Sequence, residues 1–402
     1  MAALNMRKVR QNFPHRGASD IPGHVRREME ALPHHLPAGS RIAIGVGSRG
    51  IANIAEIVKA VADYWTSIGM RPFIFPAMGS HGAGTAEGQA GVLARYGIEN
   101  VISTLDVVSL GPTELGIEVF AGKDAWESDG IFLVGRVKWH TSFAGALESG
   151  VSKMMAVGMG KQAGAQSAHG AARTHGMEAA IRSVATHLIG TGKMVGGLAI
   201  LEDAYHDTAQ VTALPADRLI EQEQELLKLV KSWMGRLPFD AVDVLIVDEI
   251  GKHISGTGMD LKVVNRGVAA QPNHWPGMPR VERIYIRDIS PMSYGNAIGI
   301  GAADVIHDRV LEKMDFNAGR VNAVTSGSLA LVRVPLHFPS DRECFEVAAS
   351  TVGKADRKDV TVAWIRNTLE LSEMALSENL IDLVSGANSL EILEAVEARE
   401  FL

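Results

Sequence analysis

Two histidines, His81 and His140, are the side chains of this sequence whose positions first suggest acid–base chemistry. His81 follows the apolar run RPFIFPAMG, and His140 follows the run GIFLVGRVKW. Histidine is the side chain most easily poised near neutral pH to take up and return a proton. A reaction that inverts a stereocentre needs one such group on each face of the reacting carbon. We therefore predict that His81 and His140 are an acid–base pair.

Two cationic side chains also follow strand-like runs and could hold a carboxylate. Arg49 follows RIAIGVG, and Lys252 follows AVDVLIVDEIG. Ligands of open α/β sheets collect beyond the carboxyl ends of the strands, so we expect these cations and the two histidines to share one rim. Arg supplies a bidentate fork, and Lys supplies a mobile point charge. The pattern predicts a small carboxylic acid as substrate, held by Arg49 and Lys252.

The expected reaction also points to a cofactor. Proton abstraction next to a carboxylate has a high barrier unless a metal ion or an electron sink takes up the charge. The stretch GVGSRG has the glycine spacing of a dinucleotide site, but the next strand-like run, RPFIFPAMG, lacks the acidic residue that such a site needs, which argues against NAD. The one cysteine, Cys344, excludes a cysteine-based metal cluster, so histidine must supply most of the protein's ligands to any metal.

The composition indicates a soluble protein of two domains. The chain has 402 residues, of which 46% are hydrophobic and 21% are charged, and this length exceeds the usual size of one domain. A formal charge of −7 without a long Lys/Arg run argues against nucleic acid or an anionic membrane as partner. No run of about 18 apolar residues occurs, and the first residues lack the apolar core of a signal peptide, so we expect a cytoplasmic protein.

Strand-like and helix-like segments alternate along the chain, which predicts open, mostly parallel sheets covered by helices. The stretch GRLPFD breaks the alternation, and we place a domain boundary there. The predicted organisation is two α/β domains with a cleft between them. Residues 1–238 carry the histidines, and residues 239–402 close the substrate cleft. The final stretch, SLEILEAVEAREFL, is expected to be a short amphipathic helix.

The order of four motifs, GSRGI, GSHGAGTAEGQ, KWHTSFAGALESGVSKM and SAHG, resembles the nickel-dependent lactate racemase family. The similarity extends over most of the chain. The resemblance implies a nickel pincer nucleotide (nickel pyridinium-3,5-bisthiocarboxylic acid mononucleotide) that is tethered to a lysine through a thioamide. On these motifs the tethering lysine is Lys153. The histidine that binds nickel, together with a pyridinium carbon and two sulfurs, is His169. The enzymes that make the cofactor are then implied partners.

The resemblance also implies roles for the other candidates. His81 and His140 act in turn as base and acid, and Arg49 and Lys252 hold the substrate carboxylate. One histidine takes the hydroxyl proton while the α hydrogen moves as hydride to the cofactor, and a 2-keto acid forms. Return of the hydride to the opposite face inverts C2. The implied activity is that of an isomerase, a racemase or epimerase of a 2-hydroxy acid.

One loop departs from the pattern of the lactate enzymes. Where they have Gly-Gly-Arg-Lys, this chain has FAGALESGVSK, with Glu148 and without the adjacent Arg. The shifted spacing leaves Lys161 as an alternative to Lys153 as the tether. The carboxylate of Glu148 could accept hydrogen bonds from additional hydroxyl groups, which favours a sugar acid over lactate. Trp139 either forms a wall of the substrate pocket or belongs to the core.

Two sets of Gly-rich loops complete the predicted site. The stretch GSHGAGTAEGQ opens a helix, so we expect Ser80, Gly82 and Thr85 to bind the cofactor phosphate through backbone N–H groups. Loops of the C-terminal domain are expected to close over the substrate. Their polar residues are Lys252, Ser255, Thr257 and Asn296.

Two other functions remain open from the sequence. The first is a metal-dependent lyase or hydrolase on the same scaffold, with His81, His140 and His169 as metal ligands. The second is a non-catalytic anion-binding protein, in which Arg49 is the principal contact. The sequence leaves the identity of the hydroxy acid open, and also the oligomeric state, for which a homo-oligomer is one candidate.

Overall fold

The structure, a computed structural model, describes residues 5–48, 50–79, 81–384 and 390–397. The chain forms two compact units. The N-terminal unit is His15–Met234, and the C-terminal unit combines the segment that ends at Pro14 with the segment that begins at Gly235. Each unit contains a sheet with helices, which confirms the predicted α/β class. In the part of the chain that the structure describes, no helix is long and apolar enough to cross a membrane.

The elements are numbered in chain order. The strands are β1 (Asn5–Gln11), β2 (Arg41–Val46), β3 (Arg71–Pro76), β4 (Val107–Pro112), β5 (Glu118–Gly122), β6 (Gly130–Arg136), β7 (Met194–Glu202), β8 (Thr208–Pro215), β9 (Ala241–Ile250), β10 (Arg280–Ile289), β11 (Val305–His307), β12 (Leu336–Phe338), β13 (Val362–Ile365), β14 (Glu373–Ser377) and β15 (Leu390–Glu397).

The α-helices are α1 (Ile21–Glu30), α2 (Ile54–Ser67), α3 (Ala86–Ala94), α4 (Lys123–Trp126), α5 (Val151–Lys153), α6 (Lys161–His175), α7 (Met177–Gly190), α8 (Leu219–Lys231), α9 (Asp308–Lys313), α10 (Phe316–Ser326), α11 (Asp341–Ser350) and α12 (Glu378–Val384). A π-helix, Met154–Met159, continues directly from α5. The 3-10 turns are Gly82–Gly84, Ala216–Arg218, Pro291–Ser293, Ile300–Ala302, Leu329–Val332 and Arg357–Asp359.

The main sheet of the N-terminal unit has the strand order β3-β2-β6-β7-β8. Neighbouring strands are parallel except β8, which is antiparallel to β7. Alternate side chains of β6 enter different cores: Phe132 and Val134 pack in the core of α1 and α2, whereas Ile131 and Leu133 pack in the core of the π-helix, α7 and α8. Helices cover both faces of the sheet, and this explains the continuous apolar runs from which the strands were predicted.

The sheet of the C-terminal unit has the order β12-β11-β10-β9-β13-β14-β1-β15. Pairing is parallel from β12 to β13 and antiparallel from β13 to β15. Helix α11 covers part of this sheet, and its Cys344 and Phe345 pack against Ile246 of β9 and Tyr285 of β10. The single cysteine is therefore a buried core residue.

The division into units differs from the predicted domains in one respect. The units separate between Met234 and Gly235, close to the predicted boundary after residue 238. The segment that contains β1, however, belongs to the C-terminal unit, because β1 pairs with β14 and β15. The sequence prediction had assigned this segment to the N-terminal domain, since a strand with so distant a partner leaves no local signal.

The last described segment is a strand, so the prediction of a terminal helix was wrong. Residues Leu390–Glu397 form β15 and pair with β1 in antiparallel register. Leu, Glu and Ala favour a helix locally, but the open edge of β1 offers a row of backbone partners that outweighs this preference. An ion pair between Arg10 of β1 and Glu391 of β15 adds to the pairing, with 3.4 Å between guanidinium and carboxylate.

Candidate functional site

The two predicted acid–base histidines lie at the same edge of the N-terminal sheet. His81 follows β3 and His140 follows β6, and these strands are the two parallel neighbours of β2. The carboxyl ends of parallel strands meet at one edge, where connecting loops and helix starts form ligand sites. The loop after β2, which begins at Gly47, therefore lies between the two loops that carry the histidines.

Two of the other predicted site residues, Arg49 and Ser80, lie outside the described residues. Lys252 follows β9, in the sheet of the C-terminal unit, and its expected place beside the histidines stays a prediction. Its ammonium donates a hydrogen bond to the carbonyl of Gly256 at 2.7 Å, and its backbone N–H donates to the hydroxyl of Ser293 at 3.0 Å.

His140 lies in a loop whose ends are joined. Backbone hydrogen bonds in both directions between Lys138 and Ser149, at 3.1 and 3.2 Å, close the loop 138–149. The Nδ1 atom of His140 accepts the N–H of Ser142 at 3.2 Å and lies 3.0 Å from the Ser142 hydroxyl oxygen. The imidazole also stacks on Phe143, with 4.3 Å between ring centroids. An accepting Nδ1 means that the neutral ring carries its proton on Nε2.

Glu148 anchors this loop from inside the protein. The residue is only 1% exposed, and one carboxylate oxygen accepts the backbone N–H of His140 at 2.5 Å. The other oxygen accepts the N–H of Gly145 at 3.3 Å and binds the Lys231 ammonium of α8 at 2.5 Å. Both oxygens are thus engaged by the protein itself, so the geometry gives Glu148 a positioning role where the sequence had predicted a substrate-binding role.

Trp139 belongs to the core rather than to an open surface. Its side chain is 2% exposed and is among the largest fully buried side chains of the described chain. The neighbouring Val137 and Leu147 are also buried in the core of the N-terminal unit. Of the two roles that the sequence left open for Trp139, the structure supports the core role, because a buried indole has no face to offer a substrate.

The predicted tether Lys153 is the last residue of α5, immediately before the π-helix. The start of α5 is held by Glu223 of α8, whose carboxylate accepts both the N–H and the hydroxyl of Ser152 at 2.9 Å. Gly150 makes this contact feasible, since a Cβ there would lie 1.9 Å from a Glu223 carboxylate oxygen. π-Helical turns are rare and occur frequently at functional sites.

His169, the predicted nickel ligand, is a half-buried residue of α6. Burial and, to a smaller extent, the positive charge of Lys153 together lower the pKa of its imidazole to about 4. The imidazole is therefore neutral at physiological pH, which is the form that binds metal ions. The two predicted cofactor residues therefore interact electrostatically.

Lys161, the alternative tether, is enclosed by protein. The residue is 4% exposed, and its ammonium donates hydrogen bonds to the carbonyl of Pro76 at 2.6 Å and to the side-chain oxygen of Gln89 at 3.1 Å. Burial lowers the pKa of Lys161 to about 8. Lys153, in contrast, is only partly buried. This difference in accessibility favours Lys153 over Lys161 as a site for a covalent tether.

The remaining predicted cofactor residues lie at the start of α3. The hydroxyl oxygen of Thr85 caps this helix by accepting the N–H of Gly88 at 3.0 Å, and Gly82 begins the 3-10 turn that precedes it. Their predicted contact with a phosphate stays a prediction. Among the described residues, no three His, Cys, Asp or Glu side chains lie together as a set of metal ligands, so His81, His140 and His169 do not form the tri-histidine metal site of the alternative hypothesis.

Three residues of the site were missed from the sequence: Gln89, Glu223 and Lys231. Glu223 did leave a signal, because it shares the buried face of α8 with Leu219 and Leu227 at four-residue spacing. A carboxylate on an apolar helix stripe indicates a buried polar partner. Gln89 and Lys231 left no comparable signal, since their partners lie in other segments of the chain.

Comparison with known proteins gives matches at the level of structure. The sequence matches no protein-family model and no curated protein. A structural genomics target from Thermotoga maritima matches with a TM-score of 0.53 and 11% identity, over 90% of this chain and 99% of that chain. The lactate racemase apoprotein from Thermoanaerobacterium thermosaccharolyticum matches with a TM-score of 0.51 and 14% identity, over 90% of this chain and 94% of that chain. These matches show a shared fold.

Removal of the Glu148 carboxylate should destabilise the loop that carries His140. We expect Glu148→Ala to lower the free energy of unfolding by about 2–4 kcal/mol, because Lys231 and two backbone N–H groups lose a buried acceptor. Urea unfolding measures the loss, and amide exchange locates it in residues 138–149. Glu225→Ala is the control, since Glu225 and its partner Lys228 are exposed. Equal losses in the two variants would contradict the anchoring role.

Glu223 should make the stability of the protein depend on pH. Burial raises the pKa of Glu223 from 4.5 to about 7, so between these values the folded state holds a proton that the unfolded state has released. The stabilisation from this proton is complete at low pH and is lost as the pH rises through 7. Glu223→Gln cannot ionise, so its stability relative to wild type should rise by roughly 2–3 kcal/mol between about pH 5 and pH 8.

Urea unfolding at several pH values across this range measures the relative stability. Glu225→Gln, which changes an exposed carboxylate of the same helix, is the control and should give a difference that stays flat with pH. If Glu223→Gln is equally flat, the carboxylate of Glu223 does not titrate in the neutral range.

Proposed function

We propose that this protein is an isomerase that inverts the C2 carbinol of a 2-hydroxy acid. The observation that carries the proposal is the placement of His81 and His140 on the loops that flank β2, at one edge of a parallel sheet. Two imidazoles at one edge can serve opposite faces of a substrate bound between them. The fold shared with a lactate racemase apoprotein supports the same activity.

The residues of the N-terminal unit fit a tethered nickel pincer nucleotide. His169 is a neutral imidazole and so a competent metal ligand, and Lys153 is near enough to influence its pKa. Lys153 would hold the cofactor covalently, His169 would hold the nickel, and the backbone near Gly82 and Thr85 would receive the phosphate. When bound, this cofactor supplies a hydride acceptor and donor. Its biosynthetic enzymes would be partners of the protein.

The hydrogen bonds of His140 define how this residue can exchange a proton. With Nδ1 accepting from Ser142, the neutral ring presents an Nε2–H to a substrate oxygen. Uptake of the substrate's hydroxyl proton at Nε2 requires the other tautomer, in which Nδ1 carries the ring proton and donates it to the Ser142 hydroxyl oxygen 3.0 Å away. In the proposed reaction His140 exchanges its proton with the substrate at Nε2, and His81 performs the matching step on the other face.

The proposed substrate class is not restricted to sugar acids. The preference for a sugar acid depended on Glu148, and both carboxylate oxygens of this residue are engaged within the protein. The proposal therefore covers 2-hydroxy acids from lactate to sugar acids. Arg49 and Lys252 remain the proposed contacts of the substrate carboxylate.

Intact-mass spectrometry should show where the cofactor is attached. Coexpression with the cofactor's biosynthetic enzymes is expected to give a covalent adduct and bound nickel in the wild type and in Lys161→Met. Lys153→Arg should carry no adduct, because a guanidinium does not form the thioamide. His169→Ala should keep the adduct and lose most of the nickel. An adduct that persists in Lys153→Arg would assign the tether elsewhere.

Polarimetry of a panel of 2-hydroxy acids tests the activity itself. With the loaded protein, the optical rotation of at least one acid should change. A single enantiomer should fall towards zero rotation, and an acid with further stereocentres should approach the rotation of the mixture of its two epimers. His81→Ala and His140→Ala should each reduce the rate of this change by about 10²–10⁴-fold. Loaded protein that binds these acids but changes the rotation of none would support the anion-binding alternative instead.

A further inference from the structure

The loop that carries His81 is held by a buried glutamine of the following helix. Gln89 lies in α3 and is fully buried. Its side-chain NH₂ group donates hydrogen bonds to the carbonyl of Met78 at 3.3 Å and to the carbonyl of Gly79 at 2.9 Å. We call the described residues 77–79 and 81–84 the His81 loop. The amide of Gln89 thus fixes the backbone at Met78 and Gly79, three and two residues before His81.

The same part of α3 also fixes the backbone immediately after His81. Gly82 has a left-handed backbone conformation, with φ of 63°, and a Cβ at this position would lie 2.5 Å from the backbone nitrogen of Gln89. In the reverse direction, a Cβ at Gly88 would lie 1.9 Å from the carbonyl oxygen of Gly82. The chain therefore packs backbone against backbone on this side, and His81 is held from both directions.

Lys161 connects this arrangement to the helices that carry the proposed cofactor residues. Its ammonium donates to the side-chain oxygen of Gln89 and to the carbonyl of Pro76, the last residue of β3. Lys161 itself is the first residue of α6 and has a left-handed φ of 51°, an uncommon conformation for a residue other than glycine. A backbone in this conformation persists only when its surroundings hold it in place.

Direct packing accompanies the hydrogen bonds. A Cβ at Gly79 would lie 3.0 Å from the Cβ of Ala165 in α6 and 3.2 Å from the carbonyl oxygen of Val157 in the π-helix. A Cβ at Gly158 of the π-helix would lie 2.5 Å from the carbonyl oxygen of Ala77. The His81 loop and the π-helix that follows Lys153 are therefore in close contact, with little room for one to move without the other.

We propose that Gln89 and Lys161 are positioning residues that hold the His81 loop against the π-helix and so set the place of His81 relative to the Lys153 segment. The catalytic consequence rests on the proposed function, because it assumes that His81 exchanges a proton with a substrate near Lys153. The positioning itself does not depend on that assumption.

The chemistry of the pair fits this role. Gln89 uses both its donors and its acceptor, and Lys161 donates to two oxygens at the end of β3 and on α3. Buried polar groups of this kind add little net stability compared with apolar side chains, but they fix one arrangement, because any other leaves a buried donor or acceptor unpaired. Two loops that must present reacting groups to one substrate require such a fixed arrangement.

The test is the substitution Gln89→Glu, which keeps the size and shape of the side chain. A carboxylate still binds Lys161 but has no N–H to donate to Met78 and Gly79. Amide exchange in the His81 loop should become at least tenfold faster, and the NMR signals of the His81 imidazole should shift or broaden. In the loaded enzyme, kcat should fall by roughly ten- to a hundredfold with KM changed by less than about threefold.

Gln166→Glu is the matched control, because it introduces the same charge at an exposed position of α6 and should leave all three measurements unchanged. Lys161→Met is the second variant. If Gln89→Glu does not fold, the same measurements on Lys161→Met test the proposal. The side-chain N–H donors of Gln89 remain in Lys161→Met. Amide exchange should therefore become faster in the His81 loop in this variant too, but by less than in Gln89→Glu.

The outcomes separate the two proposals. Wild-type exchange and wild-type His81 signals in Gln89→Glu would overturn the positioning role, as would faster exchange spread evenly over the N-terminal unit. If no 2-hydroxy acid is turned over by the loaded wild type, the proposed function fails. In that case the exchange and NMR measurements still decide whether Gln89 and Lys161 hold the loop.

Discussion

The parallel pairing of β2 with β3 on one side and β6 on the other is the constraint on which the candidate site depends. It requires every connection between these strands to cross a face of the sheet, and it brings the loops that follow them to one edge. His81 and His140 are about sixty residues apart in sequence. The two histidines lie at one edge of the sheet because the strands that precede them, β3 and β6, lie on either side of β2. The apolar side chains on both faces of β6 specify this arrangement, since each face is needed by a different set of helices.

The loops at this edge are irregular in structure, and buried polar side chains supply the order that secondary structure does not. Glu148 and Lys231 fix the His140 loop, Gln89 and Lys161 fix the His81 loop, and Glu223 fixes the start of the Lys153 segment. Each carries hydrogen-bonding groups that would be costly to leave unpaired away from water. The precision of the proposed site would thus come from residues that do not contact a substrate.

The sequence predicted the parts of the fold that depend on local pattern. The apolar runs of β2, β6 and β9 were identified because both faces of these strands are buried, and the run of β3 was identified although this edge strand is only partly buried. The strand β15 was missed because its residues favour a helix and its partner β1 is more than 370 residues away. For the same reason Glu148 was assigned to a substrate: its partner Lys231 is 83 residues away. Motif spacing could select His81, His140, Lys153 and His169 as candidates, but it could not indicate the buried groups that hold their segments.

The place of β1 in the sheet has a consequence for how the chain folds as it is synthesised. His15–Met234 is one continuous segment with its own sheet and cores, so the ribosome delivers everything this unit needs before the second unit is complete. Strand β1 leaves the ribosome before this unit, yet its partner β14 follows more than 360 residues later. At typical rates of synthesis this interval is on the order of half a minute. Throughout that time a strand whose Met6 and Val9 are buried in the folded protein must wait for its sheet.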